Sequence, residues 1–396
     1  MHKTRRYAAL VLPFVLLLSF FLIYAPTGNT SVTETPDPAT EDVTPTSTDS
    51  VLSEETVPIS AQSRCGSDPS PKYGLVRECG SFYFYTTYGT RFTGGIQEVT
   101  SETGTDYYYF LSNGQGFTSG YKEVVVDDIP CYYYFQRNGK AFTGGLKKIF
   151  FGTQAYLYYF GEDGKAVTSD WVVLGEDVYY FDEKGRAVQD SFLTLDENRY
   201  YFDEIGRIVT GWFCLEEDFY YYAYANGVIA TDTVVDQYRL DKDGRCYTKY
   251  RILQYVRELT DSSMTEQEKI DALYNWLLPG YIYYFNSYEH IQADWHWPAG
   301  WIDDFAKDMM DDQRGNCFKY AAFLGLMIRE ATGLPVTVYR GTLPLGDPHG
   351  WVTVYQDGDW FIYDIQQAIQ GEDPAVCYKV PYPLERLIGG VGTALQ

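Results

Sequence analysis

One glycine recurs through the middle of the chain at nearly constant intervals, and this periodicity constrains the fold more than any other feature of the sequence. The glycine closes a pattern of consecutive aromatic residues followed by three mostly polar ones, clearest over residues 179–185 and 200–206. Its eight copies are Gly89, Gly114, Gly139, Gly164, Gly185, Gly206, Gly227 and Gly244. The intervals shorten from 25 to 21 and then to 17 residues. Such regularity predicts a repeat architecture, in which each unit packs mainly against its neighbours.

The composition of one repeat indicates a β-hairpin. Consecutive aromatic residues favour a short strand whose rings alternate between the two faces. The acidic residue and glycine that follow permit the positive φ of a turn, and Arg207–Trp212 is then the predicted second strand. Because an isolated hairpin cannot bury its own rings, we expect the copies to stack into an all-β hairpin solenoid within residues 64–248.

The repeats resemble the cell-wall-binding repeats of Gram-positive surface proteins, which include choline-binding and glucan-binding types. The shared motif Tyr-Tyr-Phe-Asp-x-x-Gly-x-x-Val-Thr-Gly-Trp is nearly complete over residues 200–212. The resemblance implies ligands held between successive hairpins, where ring faces attract cations such as choline or stack on sugars. The residues expected to contact such a ligand are Tyr179, Tyr180, Tyr200, Tyr201, Trp171 and Trp212.

The chain departs from the choline-binding pattern at the tryptophan that usually closes the cage. Only Trp171 and Trp212 retain it, while the corresponding position holds other residues in the remaining copies. Both choline, as a substituent of teichoic acid, and a neutral wall polysaccharide therefore remain open as ligands. For any single tyrosine the alternative role is that of a core spacer in the solenoid.

The N-terminal segments predict export. Residues 1–25 place basic residues before an apolar run, which is the order of an export signal. Because the run approaches the ~20 residues that span a bilayer, cleavage and retention as a membrane anchor both remain open. Basic residues before the run place the rest of the chain outside the cytoplasm. Residues 26–63, rich in Thr, Ser and Pro, predict a disordered tether to a domain at the cell wall.

Charge and cysteine content narrow the classes of partner. The formal net charge of −23 argues against nucleic acid, because phosphate binding requires clustered Lys and Arg. No Cys-x-x-Cys or His-rich cluster is present, so we expect neither a metal site nor a cofactor. The seven cysteines leave one unpaired in an oxidising compartment, and Cys65 and Cys79 are close enough to close a small loop.

The pattern changes near residue 249, and residues 249–396 predict one α+β domain. Helices are expected over Tyr250–Leu259, Thr265–Leu278 and Trp301–Asp312. The second of these begins with a capping box, since Thr265 is followed three residues later by Glu268. The chain is thus predicted to be multidomain, with the solenoid followed by this α+β domain.

Cys317 lies at the start of a further predicted helix. Asn316 is a good N-cap, and Gly333 ends the helix. In the first turn the unpaired N–H groups and the positive end of the helix dipole favour a thiolate. The same amides can donate to a developing oxyanion. A buried structural cysteine is the alternative.

Two residues in a predicted hairpin complete a nucleophilic site. If Asp357-Gly358 forms a two-residue loop, Trp351 faces Asp364 across the hairpin. His349 is then a diagonal neighbour of Asp364, within reach of side chains that lean together. A carboxylate in that place holds the imidazole tautomer, as the third member of a triad does. Each residue alone also fits a structural role.

Residues 265–366 resemble a transglutaminase-like domain of the papain-like superfamily. The matching segments are 268–276, 315–317, 333–336, 349–352 and 360–364. The resemblance implies that Cys317, His349 and Asp364 form a catalytic triad. Two departures are Gly350, where the family usually has Ala, and Ile365, where it often has Pro. The second oxyanion donor is not identified by the motif, and the residues considered for it are Trp297, Trp301 and Gln313, with His296 as a possible groove residue.

The sequence therefore predicts an exported protein of the cell surface, which binds the wall through its repeats and transfers acyl groups from amide bonds of a protein or peptide substrate. Transfer to an amine would crosslink, and transfer to water would hydrolyse. Two alternatives remain: a non-catalytic adhesin with a transglutaminase-like scaffold, and a peptidoglycan amidase.

Overall fold

The structure is a computed structural model in which residues Cys65–Gln396 form one compact unit. The described residues are 71–216, 218–280, 282–283, 297–344, 346–383 and 388–395. The predicted export segment and tether lie outside this set, as does Cys65, while Cys79 is disulfide-bonded. Among the described helices, none has the length and apolar character needed to cross a bilayer.

Where the structure describes the repeat region, eight antiparallel two-stranded hairpins form it. Their strands, in consecutive pairs, are β1 (Gly74–Glu78), β2 (Ser81–Tyr85), β3 (Gly95–Ser101), β4 (Gly104–Phe110), β5 (Gly120–Val126), β6 (Ile129–Phe135), β7 (Gly145–Phe151), β8 (Gln154–Phe160), β9 (Asp170–Leu174), β10 (Asp177–Phe181), β11 (Ser191–Leu195), β12 (Asn198–Phe202), β13 (Gly211–Glu216), β14 (Phe219–Ala223), β15 (Thr233–Val235) and β16 (Tyr238–Leu240). The aromatic run of each repeat is the second strand of its pair.

The hairpin loop precedes the aromatic strand, whereas the sequence predicted a loop that follows it. β12 pairs with β11, which precedes it, through a two-residue turn at Asp196 and Glu197, both with positive φ. The predicted second strand Arg207–Trp212 is wrong, because only its last two residues belong to β13. Gly206 has the expected positive φ of 89°, but its loop connects successive hairpins.

These connecting loops join each hairpin to the preceding one. Within the loop, the Ile208 N–H donates to the Val178 carbonyl of the previous hairpin at 2.8 Å. In five of the aromatic strands the last residue is a phenylalanine that is fully buried in the stack: Phe110, Phe135, Phe160, Phe181 and Phe202. Burial of one such ring stabilises the stack by roughly 1.5–3 kcal/mol, which an isolated hairpin cannot obtain.

The C-terminal region packs helices against a five-stranded antiparallel sheet of order β22-β21-β20-β19-β23. The helices are α1 (Tyr247–Leu259), α2 (Glu266–Gly280), α3 (Trp301–Asp312), α4 (Cys317–Thr332), α5 (Ile365–Ile369) and α6 (Pro374–Cys377). The strands are β17 (Ile282–Tyr283), β18 (Arg314–Gly315), β19 (Val336–Thr342), β20 (Pro348–Gln356), β21 (Asp359–Tyr363), β22 (Tyr378–Pro381) and β23 (Ile388–Leu395). The central helix α4 is buried along most of its length.

Local capping signals appear in the structure as predicted. The capping box is confirmed, because the Thr265 N–H donates to Glu268 Oε2 at 2.8 Å and the Glu268 N–H donates to Thr265 Oγ1 at 3.2 Å. At α4 the Asn316 side chain accepts from the Lys319 N–H, and Gly333 ends the helix with a φ of 71°. The start of α4, and hence the place of Cys317, is therefore determined by short-range hydrogen bonds.

The last hairpin is part of the core of the C-terminal region. Tyr238 of β16 is fully buried in one hydrophobic cluster with residues of α1, α2 and α4. The Tyr238 hydroxyl donates to Glu330 Oε1 at 3.1 Å, and Arg329 donates to the Asp236 carbonyl at 2.8 Å. Arg239 also pairs with Asp304 of α3 at 2.8 Å. These contacts join the end of the repeat stack to the helices.

Candidate active site

Cys317 is the first residue of α4, and its side chain is buried. Its Sγ lies 3.9 Å from the Pro348 carbonyl oxygen, at the start of β20. The first-turn N–H groups of a helix have no acceptor within the helix. Together with the helix dipole they make this position favourable for negative charge on sulfur or on a substrate oxygen.

His349 and Asp364 are in direct contact. His349 Nε2 lies 2.6 Å from Asp364 Oδ2, and both side chains are buried. The predicted register is confirmed: Val352 pairs with Tyr363, and Gln356 pairs with Asp359 around the Asp357-Gly358 loop. The hairpin therefore brings together two residues that are fifteen positions apart.

The Asp364 carboxylate is held in place by backbone groups. The chain leaves β21 at Asp364, which is the N-cap of α5, and its Oδ1 accepts from the Gln367 N–H at 3.2 Å. The Asp364 N–H donates to the Cys377 carbonyl at 2.7 Å. One carboxylate oxygen is thus engaged by the helix start, and the other is presented to the imidazole.

The charge state of the imidazole follows from its neighbours. Burial acts to lower the pKa of His349, but the Asp364 carboxylate and Cys317, which lies within hydrogen-bonding reach of the ring, raise that pKa to about 10. Because Nε2 faces Asp364, Nδ1 is the nitrogen available to the thiol. The raised pKa favours the protonated imidazole at neutral pH, and an imidazolium is the partner that a reactive cysteine requires.

A second set of contacts fixes the imidazole ring and its strand. The His349 ring stacks over Trp351 at 6.1 Å, and Trp351 stacks on Tyr339 at 5.4 Å. Gly350 lies against the first turn of α4: a Cβ there would be 3.0 Å from Phe318 Cα and 3.2 Å from the Cys317 carbonyl oxygen. The glycine permits this close approach of β20 to the cysteine.

The three residues considered as second oxyanion donors differ in position. Gln313 is exposed, and its N–H caps α3 by donating to the Met309 carbonyl. The Trp301 indole N–H donates to Thr393 Oγ1 at 3.3 Å. Trp297 packs on the ring of Phe318, the residue that follows Cys317, with 4.9 Å between the ring centroids. His296 lies outside the described residues.

The six predicted ligand residues of the repeats divide into three groups. Trp171, Tyr180 and Tyr200 form one three-ring cage, with Trp171 5.1 Å from each tyrosine. Trp212 belongs to a separate cage with other tyrosines. Tyr179 and Tyr201 are buried, with only 6% and 8% of their surfaces exposed.

Two rings of the Trp171 cage, those of Trp171 and Tyr200, line a cavity of about 310 Å³. Its lining residues are Trp171, Val173, Val178, Tyr200, Ile208, Ala225 and Asn226. Burial and then the nearby carboxylates of Asp170 and Asp182 raise the pKa of Tyr180. Aromatic faces and acidic surroundings without a lining cation favour a positively charged ligand.

Comparison with known families gives one match within each region. Residues 253–365 match the transglutaminase-like superfamily, and residues 167–205 match the choline-binding repeat. The chain thus combines choline-binding repeats with a transglutaminase-like domain, and the predicted fold class is confirmed. The repeats indicate a protein associated with the cell surface or cell wall. Among curated proteins, none matches the chain.

Solved structures similar to the chain include choline-binding proteins of Streptococcus pneumoniae. Choline-binding protein F is 26% identical over 44% of this chain and 57% of its own, with a TM-score of 0.35. CbpJ is 24% identical over 44% of this chain and 58% of its own, with a TM-score of 0.35. The modular autolysin LytC is 16% identical over 44% of this chain and 42% of its own, with a TM-score of 0.28. The chain spans less than two thirds of each.

Sequence reasoning missed three residues that contact these sites. Arg340 is buried beneath Trp297, with its Cζ 4.9 Å from that ring, and burial lowers its pKa. Arg199 and Lys249 lie over aromatic rings of the repeats. None of the three stands in a recognisable motif, and Arg340 and Lys249 contact rings that are distant in sequence.

Proposed function

We propose that the protein is a cell-surface cysteine acyltransferase acting on amide bonds, held at the wall by its choline-binding repeats. The observation that supports this most directly is the His349–Asp364 contact next to Cys317, whose Sγ lies 3.9 Å from the carbonyl oxygen of Pro348, the residue before His349. The thiol begins a helix within reach of the imidazole, and the imidazole meets the carboxylate at 2.6 Å. This is the arrangement that activates a nucleophile.

The reaction would begin with attack of the Cys317 thiolate on the amide carbonyl carbon. A C–S bond forms, and the carbonyl oxygen takes negative charge near the first-turn amides of α4. As the C–N bond breaks, the His349 imidazolium gives its proton to the leaving nitrogen. The products of this half are a thioester on Cys317, a free amine or ammonia, and a neutral imidazole.

The second half would restore the enzyme. Neutral His349 takes a proton from an incoming amine or water, whose nitrogen or oxygen attacks the thioester carbonyl. The C–S bond breaks, the thiolate returns, and the imidazolium is regenerated. An amine acceptor gives a crosslinked product, and water gives hydrolysis. Asp364 orients the ring in both halves and stabilises its charge.

Three substrates distinguish the outcomes for the full-length protein. Incorporation of a labelled amine into a casein-like acceptor reports crosslinking, ammonia or peptide release reports hydrolysis, and muropeptide release from purified walls reports amidase activity. We expect Cys317→Ala to remove the observed turnover while wall binding remains. The matched control is Cys214→Ala, an exposed cysteine of the repeats, which should retain turnover.

A non-catalytic adhesin is the outcome to be tested against. We expect iodoacetamide to inactivate or label Cys317 near pH 6, where an ordinary thiol is almost unreactive. Absence of turnover with all three substrates, together with an unreactive Cys317, would leave only a binding role. Mass spectrometry of the labelled peptide identifies which cysteine has reacted.

We propose further that the repeats bind choline-bearing wall polymer at the Trp171 cage. Quaternary ammonium groups bind aromatic cages through the ring faces. Retention on a choline matrix, and its loss in Trp171→Ala, would support choline. Retention on purified wall glycan that free choline does not displace would instead indicate a neutral polysaccharide.

A further inference from the structure

Three successive repeats build equivalent three-ring cages. In each, a residue of the first strand faces a tyrosine across its own hairpin and meets a second tyrosine from the next hairpin. The sets are Trp171, Tyr180 and Tyr200; Phe192, Tyr201 and Tyr221; and Trp212, Tyr222 and Tyr238. The distances from the ring centroid of the first-strand residue to those of its two tyrosines are 5.1 and 5.1 Å in the first set. They are 5.0 and 5.3 Å in the second set, and 5.2 and 5.7 Å in the third.

Two of these cages contain a cation of the protein itself. In the second cage, Arg199 Cζ lies 3.7 Å from the Phe192 ring centroid and 5.9 Å from that of Tyr221. In the third, Lys249 Nζ lies 4.9 Å from Trp212 and 4.8 Å from Tyr238. These distances are within the range at which ring faces attract cations.

The Trp171 cage differs in having no such cation. Over the parts of the repeats that the structure describes, no Lys or Arg lies over Trp171, Tyr180 or Tyr200. The residues lining its 310 Å³ cavity are apolar, aromatic or neutral. A further aromatic cavity beside Tyr121 has Lys184 and Arg186 in its wall. An open, cation-free cavity of this kind is therefore found at Trp171.

We propose that Arg199 and Lys249 act as internal ligands of the repeat array, so that the array binds one quaternary ammonium group per chain, in the Trp171 cage. This rests on the proposed binding of choline-bearing polymer. An arginine or lysine head group over two rings uses the attraction that a choline head group would use. Because the internal cation is covalently tethered, it competes at a high effective concentration.

Lys249 gives the third cage a second role. Lys249 belongs to α1 of the C-terminal region, and its Nζ donates to Glu330 Oε2 of α4 at 2.9 Å. The same ammonium therefore contacts the repeat rings and the helix that begins with Cys317. Only 10% of the Lys249 side-chain surface and 13% of that of Glu330 is exposed to solvent. Solvent therefore screens this ion pair weakly. The cage thus joins the array to the catalytic domain instead of binding the wall.

Equilibrium dialysis of the full-length protein against radiolabelled choline, carried to saturation, counts the open cages directly. We expect one site in the wild type and two in Arg199→Ala, which removes the internal ligand without touching the C-terminal domain. Arg199→Lys is the matched control and should keep one site, because it retains a cation. Lys249→Ala should also gain a site, and Lys249→Arg should not.

The tryptophans separate the cages. Trp171→Ala should remove the wild-type site, whereas Trp212→Ala should leave it. If the wild type binds no choline but Arg199→Ala binds one equivalent, the internal-ligand inference stands and the proposed Trp171 site fails. Two or more sites in the wild type would overturn the inference. So would folded Arg199→Ala protein, verified by circular dichroism, with no site gained.

Discussion

Replacing Asp364 with asparagine tests whether this carboxylate sets the charge of the site. The pKa of His349 is about 10 in place of 6.5, although burial alone would lower it. At about 1.4 kcal/mol per pKa unit, this favours the imidazolium by on the order of 5 kcal/mol. Asp364 is the main group that raises this pKa, so most of that free energy depends on its charge.

Asparagine keeps an oxygen that can accept from the Gln367 N–H but removes the charge. Burial, which lowers the pKa of His349, is then opposed only by the smaller effect of Cys317, so we expect the pKa to fall and the imidazolium to be less populated at neutral pH. Without an imidazolium partner, a thiol with an ordinary pKa near 8.5 is only about 0.3% ionised near pH 6. We expect the rate of Cys317 alkylation near pH 6 to fall by on the order of 100-fold.

The measurement is the alkylation rate of Cys317 with iodoacetamide from about pH 5 to about pH 9. The wild type should remain reactive at the acid end, and Asp364→Asn should gain reactivity only as an ordinary thiol ionises. Asp347→Asn is the matched control, since Asp347 is exposed and lies two residues before His349. Equal rates near pH 6 for the wild type and Asp364→Asn would refute the reasoning.

Three further substitutions test the packing around the site and in the repeats. Burial raises the pKa of Asp303 to about 7, so the stability that the protonated carboxyl contributes is present below about pH 4 and is lost as pH rises to 7. Asp303→Asn should therefore be more stable than the wild type in urea at about pH 8, by up to about 4 kcal/mol. An unchanged urea midpoint would contradict this. Gly350→Ala places a methyl group against Phe318 Cα, so it should lower the free energy of unfolding by about 1–3 kcal/mol and reduce turnover. An unchanged melting temperature and unchanged turnover would refute this prediction. Phe181→Ala should lower the free energy of unfolding by about 3–5 kcal/mol, measured with denaturant. The exposed control Ile205→Ala should lower it by roughly 0.5 kcal/mol or less. Similar losses in both variants would exclude the buried ring as the cause.

The contact between His349 and Asp364 was predictable because it depends on local geometry. A two-residue Asp357-Gly358 loop leaves only one register for the strands beside it, and the paired residues follow from counting along the chain. The place of Cys317 at a helix start was predictable for a similar reason, since Asn316 and Gly333 mark the helix ends by short-range hydrogen bonds.

The hairpin assignment in the repeats failed where two local signals compete. Asp196 and Glu197 form the tight turn, while the segment ending at Gly206 also reverses the chain. Both segments have residues that suit turns, so propensity does not say which one joins the paired strands. The decision comes from stacking, as in the hydrogen bond from Ile208 to Val178 of the previous hairpin.

By itself, the sequence determined the repeat period, the ends of α4 and the pairing of the C-terminal hairpin, because each depends on residues close together in the chain. Only the tertiary structure decided the charge of His349 and the occupants of the aromatic cages. Those properties arise from burial and from contacts such as Lys249 with Trp212 and Glu330, and desolvation and cation–ring attraction act only after folding has brought such groups together.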